Sequence, residues 1–242
     1  MIGLIGFGRF GALTARYLAE DCKVLVYSSS QTASSIEAVG ALKAALAEVC
    51  AQPFLVVCVP ISAMRETLRK IAPLIAPETV VIDVCSVKKH PVDWMQELLP
   101  NHAAILGTHP MFGPDSAAES LDGRKIVLCN VTAKPDFYRR IYDYLQGKGL
   151  EVIEATPEEH DRQIAVSLSL THFIGRSLAE FGAEKLKIDT EGYKRLTYTL
   201  EVVEHDTWQL FQDMHQFNPY AREIREKFMA AMARIDEKIE GG

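Results

Sequence analysis

The sequence predicts an α/β protein: a parallel sheet wrapped in helices, followed by an all-α module. Three observations carry this. Short β-rich runs alternate with helical stretches over the first part of the chain, as a parallel sheet requires. Several runs are apolar throughout, as in Leu55-Val56-Val57-Cys58-Val59, which suits strands covered on both faces. The strand signal stops after Thr156, and helical spacing takes over.

The strand candidates are Ile2–Ile5, Lys23–Tyr27, Phe54–Val59, Thr79–Val84, Ala103–Leu106, Lys125–Cys129 and Glu151–Ile153. Between them Arg9–Glu20, Ser62–Ile75, Pro91–Leu99 and Pro135–Gly147 carry apolar residues at helical spacing, for example Phe10, Leu13, Tyr17 and Leu18. Pro157–Phe181 reads as one long helix, with Pro157 suited to a first turn. Tyr193–Phe217 reads as a second and Tyr220–Ile239 as a third, separated by Asn218-Pro219. The expected division is residues 1–155 and 156–242. A helical module this small has difficulty burying its apolar faces alone, so a homodimer through it is expected.

The chain has 242 residues, 48% hydrophobic and 24% charged, the balance of an ordinary globular protein. A formal net charge of −6 opposes nucleic acid or an anionic membrane as partner. The longest apolar run, Phe54–Val59, falls far short of the ~20 residues a membrane helix needs. Cys22, Cys50, Cys58, Cys85 and Cys129 are an odd, widely spaced set with no C-x-x-C pair. That reads as a reduced, cytoplasmic chain without structural zinc. No removable leader is expected, because the strand pattern starts at Ile2. His90, His102, His205 and His215 lack metal-ligand spacing, so no metal is expected.

Gly6-Phe7-Gly8-Arg9-Phe10-Gly11 is a G-x-G-x-x-G between a strand and a helix. The first glycine permits the tight turn, the second lets a pyrophosphate approach the backbone, and the third lets helix pack on strand. With this loop the predicted fold becomes a Rossmann-type parallel sheet domain. Val59 and Pro60, closing the Phe54–Val59 run, are assigned to the cofactor with the loop. A strand binding NAD ends in a carboxylate that accepts from the ribose 2′-hydroxyl. Here the second strand ends Tyr27-Ser28-Ser29-Ser30, with hydroxyls that can donate to a 2′-phosphate and Arg9 available to pair with it. NADP is therefore expected, with NAD the alternative.

Two strand ends carry polar residues that the strands do not need: Asp83-Val84-Cys85-Ser86-Val87-Lys88 and Gly107-Thr108-His109. Ligands of open α/β sheets bind outside the carboxyl strand ends, so Ser86 and His109 are expected to flank the nicotinamide half of the site. A histidine near neutral pKa can take a proton from a substrate hydroxyl as hydride leaves. A helix cap is the plainer role for Ser86, Asp115 and Ser116. Met111 and Phe112 read as core or pocket wall.

The stretch His109-Pro110-Met111-Phe112-Gly113-Pro114-Asp115-Ser116 resembles the signature of the prephenate/arogenate dehydrogenase family of tyrosine biosynthesis, as does Ser86-Val87-Lys88. The likeness continues through Glu159-His160-Asp161-Arg162, Leu170-Thr171-His172-Phe173, Gly175-Arg176, Thr190-Glu191-Gly192-Tyr193 and Asn218-Pro219-Tyr220-Ala221. The Ser86-Val87-Lys88, Thr171-His172 and Gly192-Tyr193 segments are most similar to the plant-type, NADP-using arogenate branch.

The resemblance implies oxidative decarboxylation of a cyclohexadienol. Hydride leaves C4 for the nicotinamide, the ring carboxylate departs as CO2, and the ring becomes a phenol. His109 would polarise the C4 hydroxyl, with Ser86 bonded to His109 or to that hydroxyl. Met111, Gly113, His172, Tyr193 and Arg195 would line the substrate, Arg195 on a carboxylate. His160 and Asp161 would tie the helical module to the sheet. Asp115, Glu119, Glu159 and Asp161 are the acids that could meet an amino group. The small-molecule ligands are anionic, so the cleft should be locally positive despite the acidic total. The alternatives are a β-hydroxyacid-type dehydrogenase, which needs a lysine on its helical module, and a non-catalytic NADP-binding sensor, which needs neither Ser86 nor His109.

Overall fold

The computed structural model describes residues 1–204 and 206–241. His205, weighed above as a metal ligand, lies outside the described residues. The chain divides into two compact units, residues 1–160 and 161–242, the break falling within a helix.

The first unit is an 8-stranded sheet. In chain order it runs β1 (Ile2–Ile5), α1 (Arg9–Ala19), β2 (Val24–Tyr27), α2 (Ala33–Glu37), β3 (Leu42–Lys43), α3 (Leu46–Cys50), β4 (Phe54–Val57), α4 (Ile61–Ile71), β5 (Val80–Asp83), α5 (Lys89–Leu98), β6 (Ala104–Pro110), β7 (Lys125–Asn130), α6 (Pro135–Gly147) and β8 (Glu151–Glu154). The strand order is β3-β2-β1-β4-β5-β6-β7-β8. β1 lies between β2 and β4, all parallel, with Ile5 beside Tyr27 and Val57. That reversal of strand order is where open α/β sheets bind ligands. Leu4, Val24, Val26, Leu55, Val57, Val80 and Val81 are buried, as expected of strands covered on both faces.

One pair departs from the parallel expectation. β6 and β7 are antiparallel, with His109 opposite Val127. The connection 111–124 contains no helix that could carry the chain back across the sheet, so β7 returns alongside β6. The ladder also prolongs β6. His109 therefore lies inside a strand, not in a loop after one.

In the second unit, α7 (Pro157–Ile164) passes from the first unit into a six-residue π stretch, Ala165–Leu170, and then α8 (Thr171–Phe181). Gly182, at φ +82°, ends it in the left-handed conformation that favours glycine. α9 (Glu191–Glu204), α10 (Trp208–Gln216) and α11 (Ala221–Glu240) follow. The expected single helix Tyr193–Phe217 is thus two. Thr207 is extended (φ −67°, ψ 150°) and its hydroxyl accepts from Leu210 N at 3.1 Å. That is an N-cap, and it starts a new helix. Asn218 holds the turn between α10 and α11: Oδ1 accepts from Tyr220 N, and Nδ2 donates to the Asp161 carbonyl, both at 2.9 Å. Gly175 brings α8 and α9 together, since a Cβ there would sit 2.8 Å from Val203 Cγ2.

Candidate active site

The glycine loop has the geometry its spacing predicts. Gly6 has φ +92°, and a Cβ there would lie 2.2 Å from the Cys58 carbonyl oxygen and 3.2 Å from Val59 Cγ1. A Cβ on Gly11 would lie 2.3 Å from the Gly6 carbonyl. At Gly8 a Cβ would meet nothing within 4 Å. Gly6 and Gly11 are therefore glycine for the chain's own sake, and Gly8 keeps the α1 N-terminus open from outside. α1 has no side-chain cap and no acid in its first turn, so its leading amides face outward. This cradle fits a dinucleotide pyrophosphate. Pro60 is the exposed N-cap of α4, at the end of the neighbouring strand.

At the ribose end no carboxylate follows Tyr27. Ser28 is buried and its hydroxyl accepts from Gln31 N at 3.2 Å, so it builds the turn. Ser29 and Ser30 are exposed. Lys43 on β3, which sequence reading passed over, reaches the same turn and donates to the Gln31 carbonyl at 2.6 Å. Arg9, expected on the cofactor, pairs with Asp115 at 2.6 Å, both more than half exposed. Solvent screens such a pair, and a phosphate could compete for the guanidinium.

His109, the candidate base, stands near the end of β6. Its side chain is buried, and Nδ1 lies 2.8 Å from His160 Nε2, with the rings edge to face. Burial first, then the nearby His160 and Lys88, holds the His109 pKa well below the usual histidine value. His109 is thus neutral at neutral pH. Ser86 makes no bond to it: Ser86 Oγ is buried without a hydrogen-bond partner. The partner is His160, expected as a link between modules.

Beneath His109 sits a fully buried ion pair. Lys88 Nζ bonds Asp83 Oδ1 and donates to the Thr108 carbonyl at 2.5 Å. Thr108 Oγ1 donates to the Asp83 carbonyl at 2.6 Å, and Cys85 N donates to Asp83 Oδ1 at 2.9 Å. A cation is thereby clamped to the strand end that carries His109. Met111 and Gly113 follow it, Met111 39% exposed and Gly113 N bonded to Ser116 Oγ at 3.0 Å.

In the second unit His172 is buried on α8, with Nε2 3.6 Å from Asp206 Oδ2. Burial lowers its pKa, Asp206 opposes that, and Arg176 adds to it. Tyr193 Oη donates to the Glu184 carbonyl at 2.8 Å. Arg195 is exposed on α9. Asp206 is the acid beside His172. It lies in the break between α9 and α10, and nothing in the sequence pattern marks it. Of the acids weighed earlier, Asp115 is paired with Arg9, and Asp161 is buried where α7 meets the Asn218 turn. Among the described residues no three metal-ligating side chains cluster, and no helix is long and apolar enough to cross a membrane.

The sheet, the glycine loop and the strand-end histidine together define a nucleotide-binding dehydrogenase of the NAD(P)-dependent class. Residues 14–154 match the family model for the prephenate dehydrogenase nucleotide-binding domain, and 177–242 match a TYRAAT1-like C-terminal domain. The chain belongs to the prephenate dehydrogenase family.

It is 28% identical over 250 residues to arogenate dehydrogenase 2, chloroplastic, of Arabidopsis thaliana, covering 99% of this chain and 70% of that one. Against arogenate dehydrogenase 1, chloroplastic, of the same plant it is again 28% identical, covering 99% of this chain and 39% of the relative. The fold resembles prephenate dehydrogenase from A. aeolicus, solved with hydroxyphenyl propionate and NAD+. There the TM-score is 0.76 at 19% identity, over 98% of this chain and 89% of that one.

Proposed function

We propose that the chain oxidatively decarboxylates arogenate, with prephenate a poorer substrate, passing hydride to NADP+. The supporting observation is a neutral, buried His109 whose second nitrogen is engaged by His160. A base must be unprotonated where it meets the substrate. If His109 Nδ1–H donates to His160 Nε2, then His109 Nε2 carries the lone pair. It accepts the C4 hydroxyl proton as hydride leaves C4 and the ring carboxylate leaves as CO2. The positive charge that develops on His109 is shared with His160 through the short bond. The nicotinamide, when bound, accepts the hydride. Gly6, Phe7, Gly8, Phe10 and Gly11 shape its cradle, Val59 and Pro60 flank it, and Ser86 Oγ supplies a hydrogen bond at the strand ends.

The preference for arogenate rests on Asp206. An acid 3.6 Å from a substrate-lining histidine suits an ammonium better than a keto group. Met111, Gly113 and Tyr193 would complete the substrate contacts. The NADP preference rests on the absence of an acid after Tyr27 and on Lys43 at the Ser28–Gln31 turn. The test is initial rates with arogenate and prephenate, each with NADP+ and NAD+. Arogenate with NADP+ should give the highest kcat/KM. Asp206→Asn should move the preference toward prephenate, and an unchanged ratio would remove Asp206 from this role.

The β-hydroxyacid alternative lacks its lysine: Lys185, Lys187, Lys194, Lys227 and Lys238 of the second unit are all exposed. We also place a second copy against α11. Met229, Met232, Ile235 and Ile239 are 44%, 56%, 56% and 72% exposed and line one side of that helix. A stripe of that kind on a monomer is a candidate interface, and light scattering should give a dimer mass. The five free cysteines fit a reducing, cytoplasmic setting.

A further inference from the structure

Between the sheet and the helices α1 and α6 lies a cavity of about 640 Å³. Its floor is the middle of the sheet: Phe54 and Val56 on β4, Ile82 on β5 and Val84 just after it. Val56 and Ile82 are paired in register, so they share one face. Central strands of a parallel sheet are normally covered on both faces. Phe54, Ile82 and Val84 are nevertheless only half-buried, and no residue of α6 is fully buried. The chain thus builds an apolar surface at the middle of its sheet and does not pack it closed. Cavities of about 300–1,000 Å³ are the size of small-molecule sites. One of about 150 Å³ already holds benzene, so a single ring is too small for this one.

The polar groups on its wall narrow the class of ligand. Thr14 Oγ1 donates to the Phe10 carbonyl at 2.9 Å, and Tyr17 Oη to the Ala117 carbonyl at 2.8 Å. Tyr144 Oη donates to Asp21 Oδ2 at 2.8 Å, and Thr108 is bonded to the Asp83 carbonyl. These hydroxyl protons are spent on the chain itself. A sugar, nucleotide or amino acid would bury polar groups here without partners, which is costly. The charged side chains of the lining are Asp21, Arg140, Asp143 and Lys148. Lys148 pairs with Asp21, and Asp143 with Arg139. Arg140 alone of the four has no ion pair among the described residues. It is exposed, and its guanidinium lies 5.9 Å from the Phe54 ring, at the first residue of β4. The register sets Phe54 level with Val80 and Ala104. From that level to Pro110, at the far end of the cavity, β6 rises about 20 Å at ~3.3 Å per residue.

We propose that this cavity binds a long-chain fatty acid, its alkyl chain laid along the middle strands and its carboxylate on Arg140. A long, thin, wholly apolar body with one anionic end is what the span, the satisfied wall and the single unpaired cation share. Guanidinium and carboxylate match in charge and in planar geometry. The site is apart from the candidate base. Thr108 and Pro110 line the cavity, and His109 between them in β6 points to the other face of the sheet. The far end also touches Phe10 of the glycine loop, so the test includes the dinucleotide.

The test is displacement of the fluorescent fatty acid cis-parinarate from the full chain by octanoate, decanoate, laurate and myristate. Binding should be saturable, and affinity should rise about fourfold per added methylene, the worth of burying one. Dodecanol, which lacks the charge, should bind about 5–10-fold more weakly than laurate, as expected for a partly exposed charged contact. Arg140→Gln should bring laurate down to the dodecanol level, and Arg139→Gln, an exposed neighbour on α6, should leave it unchanged. Ile141→Trp, which fills the cavity, should weaken laurate and dodecanol alike. A check that needs no variant uses methyl resonances of the wild type. Those of Ile82 and Ile141 should move with laurate, and that of Ile71, buried on α4, should stay. Saturating NADP+ should leave laurate affinity unchanged. No saturable binding, an affinity flat along the chain-length series, or Ile82 and Ile141 resonances indifferent to laurate overturns the proposal. So does laurate binding that survives Arg140→Gln and Ile141→Trp, or that NADP+ displaces.

Discussion

His109 Nδ1 and His160 Nε2 lie 2.8 Å apart, although 51 residues separate them in the chain. One of the two must donate, and only donation from His109 leaves its other nitrogen able to accept a proton. In the proposed reaction His160 would thus fix the tautomer of His109. Replacing His109 by Asn should lower kcat by about 10²–10⁴-fold, the usual worth of a proton-transfer group. His160→Ala should cost less, about 10–100-fold, as orienting partners do in related settings. Equal activity in His160→Ala and wild type would show that the bond orients nothing.

The pH dependence of stability has a definite sign. His109 and His172 are lowered, and His215 is lowered to about 4. The unfolded chain titrates these groups near pH 6.5 and binds more protons below it. Stability should be full above that value and decline as the pH falls from about 6.5 toward 4. Melting temperatures across that range check this, and a flat profile would contradict it. In activity, kcat/KM should stay on its plateau well below pH 6.5, because His109 remains neutral there.

Lys88 and Asp83 are both wholly buried and bonded to one another. Removing one partner leaves an uncompensated charge. Lys88→Met should destabilise the first unit by about 3–5 kcal/mol, measured by urea unfolding. A double change that also makes Asp83 apolar should recover part of the loss.

The glycines of the loop should separate folding from binding. Gly6→Ala puts a side chain at φ +92° and against the Cys58 carbonyl, so thermal stability should fall. Gly8→Val has open space, so melting should be near wild type while dinucleotide affinity falls by an order of magnitude or more. A Gly8→Val protein that binds NADP+ normally would remove the loop from the cofactor site.

Much of this architecture is legible in the residues. Long apolar runs located seven of the eight strands, and the glycine spacing located the phosphate cradle. β3, Leu42–Lys43, escaped because two residues make no pattern. With it went Lys43 at the ribose turn. The break between α9 and α10 was hidden because helical spacing continues across it, and only the Thr207 cap interrupts the backbone. His109 was legible from its place at a strand end. Its partnership with His160 was not, because tertiary folding sets which distant side chains meet. The same holds for Asp206, which tertiary folding sets beside His172.

The most direct measurement is NADPH formation from arogenate by the wild-type chain and by His109→Asn, with NADP+ saturating. We expect steady turnover, release of one CO2 per NADPH, and a fall of about 10²–10⁴-fold in the variant with dinucleotide affinity preserved. Undiminished turnover in His109→Asn, or NADPH formed without CO2, would contradict it.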